Sequence, residues 1–83
     1  KNFLYMEDSS PVKKIKEIFI KIFPEENDLS FKMDKKQSEF KNWDSFAHLQ
    51  LVSEIEKQFN VRFDIDEVMN FNSPNDFLKF VNR

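Results

Sequence analysis

The chain has 83 residues, a formal net charge of −2, 11 Phe, no Cys and no Gly. This length supports one domain, residues 1–83, and a small core, since so short a chain buries only about 60% of its unfolded surface. Without Cys there is no disulfide or thiolate metal site, and without Gly there is no P-loop or dinucleotide-binding loop. The charge is nearly balanced and forms no basic stripe, which argues against nucleic-acid binding.

The apolar and basic segments of the chain bear on its location. The apolar runs at residues 3–6 and 18–20 are far shorter than the roughly 18–20 residues that span a bilayer. The basic cluster at residues 13–16 is smaller than a typical membrane-binding patch of about 4–8 bases and is interpreted as a solvated helix face. We interpret residues 1–9 as a flexible tail, and we expect a cytoplasmic monomer that binds no membrane.

The first predicted helix begins at Ser10-Pro11, because Ser is a preferred N-cap and Pro suits the first helical position. It ends before Pro24. Its apolar residues recur at helical spacing: Val12, Ile15, Ile18, Phe19, Ile22 and Phe23.

Residues 24–43 show no sustained period and predict a long loop, which in a compact domain is often functional. We expect this loop to pack across the bundle, with room for one short helical turn. Its predicted anchors are Leu29, Phe31, Met33 and Phe40.

The clearest helix is predicted over residues 44–59, with Asp44 or Ser45 as its N-cap. Asn60 follows where a left-handed residue often ends a helix, so we predict a positive φ there. The predicted apolar stripe consists of Phe46, Leu49, Leu51, Val52, Ile55 and Phe59.

The remaining residues predict an extended connector at 61–65, a short helix at 66–71 with Val68 and Met69, and a last helix from Ser73-Pro74. Phe77, Phe80 and Val81 are predicted to face inward from the last helix. The fold class is therefore all-α, a four-helix bundle with a long first loop and a short third helix.

Ser45 is the one residue whose position suggests chemistry. A phosphate esterified at the start of a helix would lie beside unbonded backbone N–H groups and the positive end of the dipole. On residues alone a simple N-cap is the better interpretation of Ser45, because Ser and Asp are common caps.

Asp44-Ser45-Phe46, followed by Leu49, Leu51, Val52, Ile55-Glu56 and Phe59, resembles the acyl carrier proteins, in which Asp-Ser-Leu opens the second helix of a four-helix bundle. The resemblance runs without gaps from about residue 40 to residue 81. It implies a carrier and not an enzyme, modified at Ser45 with 4′-phosphopantetheine by a separate transferase. The thiol of the arm would hold acyl groups as thioesters.

The resemblance also implies partners: a phosphopantetheinyl transferase, and acyl- or aminoacyl-ligases and acyl-transfer enzymes. We expect them to dock on Asp44, Phe46, Gln50, Glu54 and Met69. Phe46 stands where the family usually has Leu, and Asn42 where it usually has Gly, so we predict a positive φ at Asn42 as well. Trp43 before Asp44-Ser45 and the weakly acidic second helix resemble specialised stand-alone carriers more than fatty-acid carriers.

Two alternatives remain from the sequence. The chain resembles D-alanyl carrier proteins too, so the cargo could be an amino acid, or the domain could be a helical interaction module without a prosthetic group. A Ser-His-Asp triad through His48 is disfavoured, and a solvated helix histidine is expected instead.

Other residues have simpler interpretations. Asp64, Asp66 and Glu67 are interpreted as an acidic edge and helix cap and not as a metal site. Six aromatic residues are interpreted as core and not as an acyl pocket: Phe19, Phe23, Phe59, Phe63, Phe77 and Phe80. Trp43 could equally pack the loop or contact the arm.

Overall fold

The computed structural model describes residues 10–81. Its helices are α1 at Pro11–Ile22, α2 at Ser45–Phe59, α3 at Ile65–Asn70 and α4 at Pro74–Val81, with a 3-10 helix at Gln37–Glu39. No strand occurs within residues 10–81, and residues 61–64 are an extended connector. The predicted all-α bundle with a long first loop and a short third helix is confirmed. The predicted tail lies outside the described residues.

Helix α1 begins and ends as its sequence dictates. The Ser10 hydroxyl accepts a hydrogen bond from the Lys13 N–H at 3.2 Å, and Pro11 takes the first position. At the other end the Phe23 N–H donates to the Phe19 carbonyl at 2.8 Å, just before Pro24.

Helix α1 packs against α2 and α4. Within residues 10–81, 14 buried apolar residues form the core, and α1 contributes Ile15, Ile18 and Phe19 to it. No helix among the described residues has the length and apolar character needed to cross a membrane.

The core is built around the Phe19 ring. Its centroid lies 5.5–6.0 Å from those of Phe23, Phe31, Phe40, Trp43 and Phe77. Ring pairs at such separations contribute about 0.5–1.5 kcal/mol each beyond their burial. Because three of these rings belong to the loop, the loop is part of the core.

The loop is also held by a buried ion pair. Glu26 is only 7% exposed, and its carboxylate accepts from the Lys35 ammonium at 2.8 and 3.0 Å and from the Ser30 hydroxyl at 3.0 Å. These contacts compensate the desolvated charge. Further on, the Gln37 N–H donates to the Asn72 carbonyl and the Asn75 N–H to the Met33 carbonyl, which joins the loop to the start of α4.

The loop anchors were predicted with one error. Phe31 and Phe40 are buried and Met33 packs on the core, but Leu29 is 88% exposed. The Asn27 side chain accepts from the N–H groups of Leu29 and Ser30, at 2.8 and 3.0 Å. This tight turn holds Leu29 on the surface.

Helix α2 turns part of its predicted apolar stripe outward. Ala47, Leu51, Val52 and Ile55 are buried, whereas Phe46 is 71% and Leu49 60% exposed. At about 100° per residue, Phe46 lies about 140° and Leu49 about 160° around the helix from Leu51. The prediction that both belong to the core stripe is therefore wrong.

Positive φ was predicted at two residues, and the structure confirms it at one of them. Asn60 has φ 54° and ψ 49°, and the N–H of Val61 closes the helix end on the Glu56 carbonyl. Asn60 is the only non-glycine residue with positive φ within residues 10–81, so the prediction for Asn42 is wrong. The Asn42 carbonyl instead accepts from the Asp44 N–H, and its amide donates to Glu25, in a turn that needs no left-handed residue.

The last two helices close the bundle. Asp64 and Glu67 form a reciprocal capping box at the start of α3, as the cap interpretation required. Phe71 follows α3 and stacks on the fully buried Phe77 of α4, with centroids 4.2 Å apart. Phe80 and Val81 are partly buried against the same core.

We predict that Asn60→Ala lowers the free energy of unfolding by about 1 kcal/mol. Ala is disfavoured in the left-handed region, whereas Asn tolerates it because its short polar side chain can hydrogen-bond locally. Asn60→Gly should cost less. Urea unfolding of both variants measures this. The exposed Gln58→Ala variant is the control and should change stability by less than about 0.5 kcal/mol. Equal stabilities of Asn60→Ala and the parent would contradict the assignment.

Candidate functional site

Ser45 is the first residue of α2, and its neighbour Asp44 is the N-cap. The Asp44 carboxylate accepts from the Ala47 N–H at 2.9 Å, and Asp44 has the extended backbone of a cap residue. The Ser45 side chain is exposed and makes no hydrogen bond with the described residues. The cap role left open between the two residues therefore belongs to Asp44, and the Ser45 hydroxyl is not needed for it.

Trp43 fixes the chain immediately before this pair. Its indole is 6% exposed and packs on Phe19, Phe23 and Phe40 at centroid distances of 5.5, 6.0 and 5.2 Å. Its carbonyl accepts from the Gln37 side chain at 3.1 Å. Of the two roles considered for Trp43, the structure shows loop packing.

His48 connects Trp43 to α3. The Trp43 indole N–H donates to His48 Nδ1 at 3.0 Å, and His48 Nε2 lies 2.7 Å from the Val68 carbonyl oxygen. Because the indole can only donate, Nδ1 must accept, which leaves Nε2–H to donate to Val68 in a neutral ring.

This bonding corrects the prediction of a solvated histidine. The His48 ring is half-buried, and it stacks on Trp43 with centroids 5.8 Å apart. Both of its nitrogens are occupied by residues other than Ser45. His48 therefore joins the loop, α2 and α3 and does not form a triad with Ser45.

The start of α2 offers a favourable place for an anion. The N–H groups of the first helical turn have no carbonyl one turn earlier, and Asp44 satisfies only that of Ala47. No acidic residue lies in the first turn of α2 itself. The helix dipole therefore favours a phosphate esterified to Ser45.

Ser45 opens onto a groove between α2 and α3 with a volume of about 360 Å³. Two further residues on its walls, Ile65 and Met69, are 74% and 75% exposed. The groove is lined by Gln37, Ser45, His48, Leu49, Ile65, Val68, Met69 and Phe71. No Asp, Glu, Lys or Arg lines the groove, and five of its eight lining residues are apolar.

The predicted docking residues fall on two sides of Leu49. Phe46, Gln50 and Glu54 line a second groove beside Lys21, whereas Met69 lines the groove at Ser45; Leu49 borders both. Asp44, Phe46, Gln50 and Met69 are exposed, and Glu54 is half-buried, 3.9 Å from the Lys21 ammonium.

Sequence reasoning missed Leu49 and Ile65 as surface residues. The signal available for Leu49 was its phase, since it lies about 160° around the helix from Leu51. Ile65 is the first residue of α3, and its position could not be read from the sequence without knowing where that helix begins.

A family model matches the part of the chain that contains the site. Residues 43–81 match a family described as a phosphopantetheine attachment site. The match begins at Trp43 and extends through α2, α3 and α4. Comparison with curated proteins and with solved structures gave no match.

We predict that Ser45→Ala leaves the free energy of unfolding within about 0.5 kcal/mol of the parent, whereas Asp44→Ala lowers it by about 1 kcal/mol. The reason is that only the Asp44 side chain caps α2. Urea unfolding of the two single variants compares them directly. A loss in Ser45→Ala as large as that in Asp44→Ala would show that Ser45 is itself a cap.

Proposed function

We propose that Ser45 carries the prosthetic group of this chain, which belongs through residues 43–81 to the phosphopantetheine-binding carrier proteins, the acyl carrier protein family. Members of this family hold 4′-phosphopantetheine covalently. The observation that carries the assignment is the geometry of the start of α2: the Ser45 hydroxyl is exposed while Asp44 performs the capping.

The residues around Ser45 fit such a group. The hydroxyl is accessible to a phosphopantetheinyl transferase, and the first turn of α2 stabilises the phosphodiester that forms on it. Trp43 and His48 hold the preceding turn in place through burial and hydrogen bonding. When attached, the group supplies the thiol on which an acyl thioester is held.

The domain would act as a carrier and not as a catalyst. Carrier domains of this family are typically non-catalytic. Tethering raises the effective concentration of the cargo at each partner enzyme, and this requires only an attachment residue and a docking surface. The remaining alternative, an interaction module without a prosthetic group, gives no account of an attachment-site match that includes Ser45.

An acyl cargo suits the site better than an aminoacyl cargo. The groove beside Ser45 presents Leu49, Ile65 and Met69. An aminoacyl thioester carries an ammonium group, which would favour a carboxylate nearby, and no residue lining the groove is acidic. We therefore place acyl groups first and D-alanyl or other aminoacyl groups second.

Carrier domains of this family generally interact with a phosphopantetheinyl transferase and with acyl-handling enzymes, and these are the partners of this chain. We propose that they contact the exposed residues Asp44, Phe46, Gln50 and Met69, together with Glu54. Helix α2 itself holds only two acids, Glu54 and Glu56, which supports a specialised carrier over a fatty-acid carrier. Cytoplasmic location and a monomeric state stay predictions from the sequence.

We expect incubation with coenzyme A and a broad-specificity phosphopantetheinyl transferase to raise the intact mass by one 4′-phosphopantetheine group. Ser45→Ala should show no gain, because it lacks the hydroxyl that attacks the phosphate. Ser53→Ala, an exposed serine of the same helix, is the matched control and should gain mass like the parent. An unchanged parent mass, or an equal gain in Ser45→Ala, would refute the proposal.

A further inference from the structure

The groove beside Ser45 has a closed base. Phe71 forms part of its lining, yet is only 2% exposed, and its ring stacks on that of Phe77 at 4.2 Å with an interplanar angle of 29°. Below this stack Phe77 is fully buried and contacts Phe19 and Phe63 at centroid distances of 5.9 and 6.3 Å. Aromatic rings therefore occupy the volume directly beneath the groove.

The side of the groove is closed by His48. Its Nε2–H donates a hydrogen bond to the Val68 carbonyl at 2.7 Å. This bond joins α2 to α3 and would have to break before the two helices could separate. Its Nδ1 is bonded at the same time to the buried indole of Trp43. The ring cannot turn away without breaking both hydrogen bonds, so α3 is held against α2.

A chain attached to Ser45 meets these two barriers before it reaches the core. To pass between α2 and α3 it would have to break the His48–Val68 bond, and to pass inward it would have to part Phe71 from Phe77. Close-packed interiors do not yield such space without moving several side chains. The exposed Leu49, Ile65 and Met69, in contrast, offer apolar contact without any rearrangement.

We infer that an acyl group carried on Ser45 stays outside the bundle, in the open groove between α2 and α3, and that His48 is the positioning residue that keeps it there. This inference rests on the proposed attachment at Ser45. The cargo class that it implies is a short acyl group, whose thioester is shielded by partner enzymes and not by the carrier. A long chain would leave apolar carbons in water.

The inference can be tested by the reactivity of the thioester. The transferase is used with acetyl- and decanoyl-coenzyme A to load the full chain, and each product is treated with hydroxylamine. Hydroxylamine nitrogen attacks the thioester carbonyl, the C–S bond breaks, and a hydroxamic acid and the free thiol result; intact mass follows the rate. The matching acyl-coenzyme A gives the reference rate for each chain length.

We expect both protein-bound thioesters to react within about threefold of their references, because neither is enclosed. A decanoyl thioester protected more than threefold relative to its reference, with the acetyl thioester unprotected, would overturn the inference. If no loading occurs with the parent chain, the attachment at Ser45 itself is refuted. The two failures are thus distinguishable, one by mass and the other by rate.

The role of His48 is tested separately with a variant of that residue. His48→Ala removes both hydrogen bonds and the ring, so the barrier between α2 and α3 is lost while the Phe71–Phe77 stack stays in place. The decanoyl chain can then enter between the two helices, and its thioester should become protected more than threefold while the acetyl thioester does not. Ser53→Ala, on the same helix and outside the groove, is the control and should behave as the parent. A His48→Ala variant whose decanoyl thioester reacts as fast as that of the parent would overturn the role of His48.

Discussion

The hydrogen bond from the Trp43 indole to His48, made by a ring that is itself buried against Phe19 and Phe40, is the interaction on which the site depends. Its energy as an isolated bond is modest, about 1 kcal/mol. Its importance lies in its connections. It joins the aromatic core to the end of the loop and, through the His48–Val68 bond, to α3.

The two residues after the buried Trp43 have separate roles: Asp44 caps α2, and Ser45 is left accessible for modification. Asp44 satisfies the Ala47 N–H and begins the helix, while Ser45 presents its hydroxyl to solvent. A serine engaged in capping would lose that bond on modification, and the helix would lose its cap. The adjacent pair keeps the helix start intact whether or not Ser45 is modified.

Local patterns were sufficient to predict the helices and several of their ends. Ser10-Pro11 and Ser73-Pro74 did mark helix starts, and Asn60 is left-handed as its place after Phe59 predicted. These features depend on short-range backbone chemistry, which the sequence displays directly. The family resemblance then placed Ser45 at the start of the second helix, where the structure has it.

The errors share a physical cause. Apolar spacing placed Phe46 and Leu49 in the stripe of α2, and Leu29 was predicted as a loop anchor. Their exposure depends instead on the rotation of α2 and on the turn at Asn27. The bridging role of His48 depends on residues 5 earlier and 20 later in the chain. Asn42 takes an ordinary φ because Glu25 and Asp44 satisfy its polar groups. Single-residue preferences do not contain such contacts between distant positions.

We expect the fixed turn at Trp43 and the cap at Asp44 to direct modification to Ser45 alone. Exposed serines also occur in the described part of the chain at Ser38 and Ser53, so location on the surface is not sufficient for modification. Fragmentation mass spectrometry of the transferase-treated chain locates the added group directly. We expect every fragment that bears 4′-phosphopantetheine to contain Ser45. The group on a fragment that lacks Ser45 would contradict attachment at Ser45.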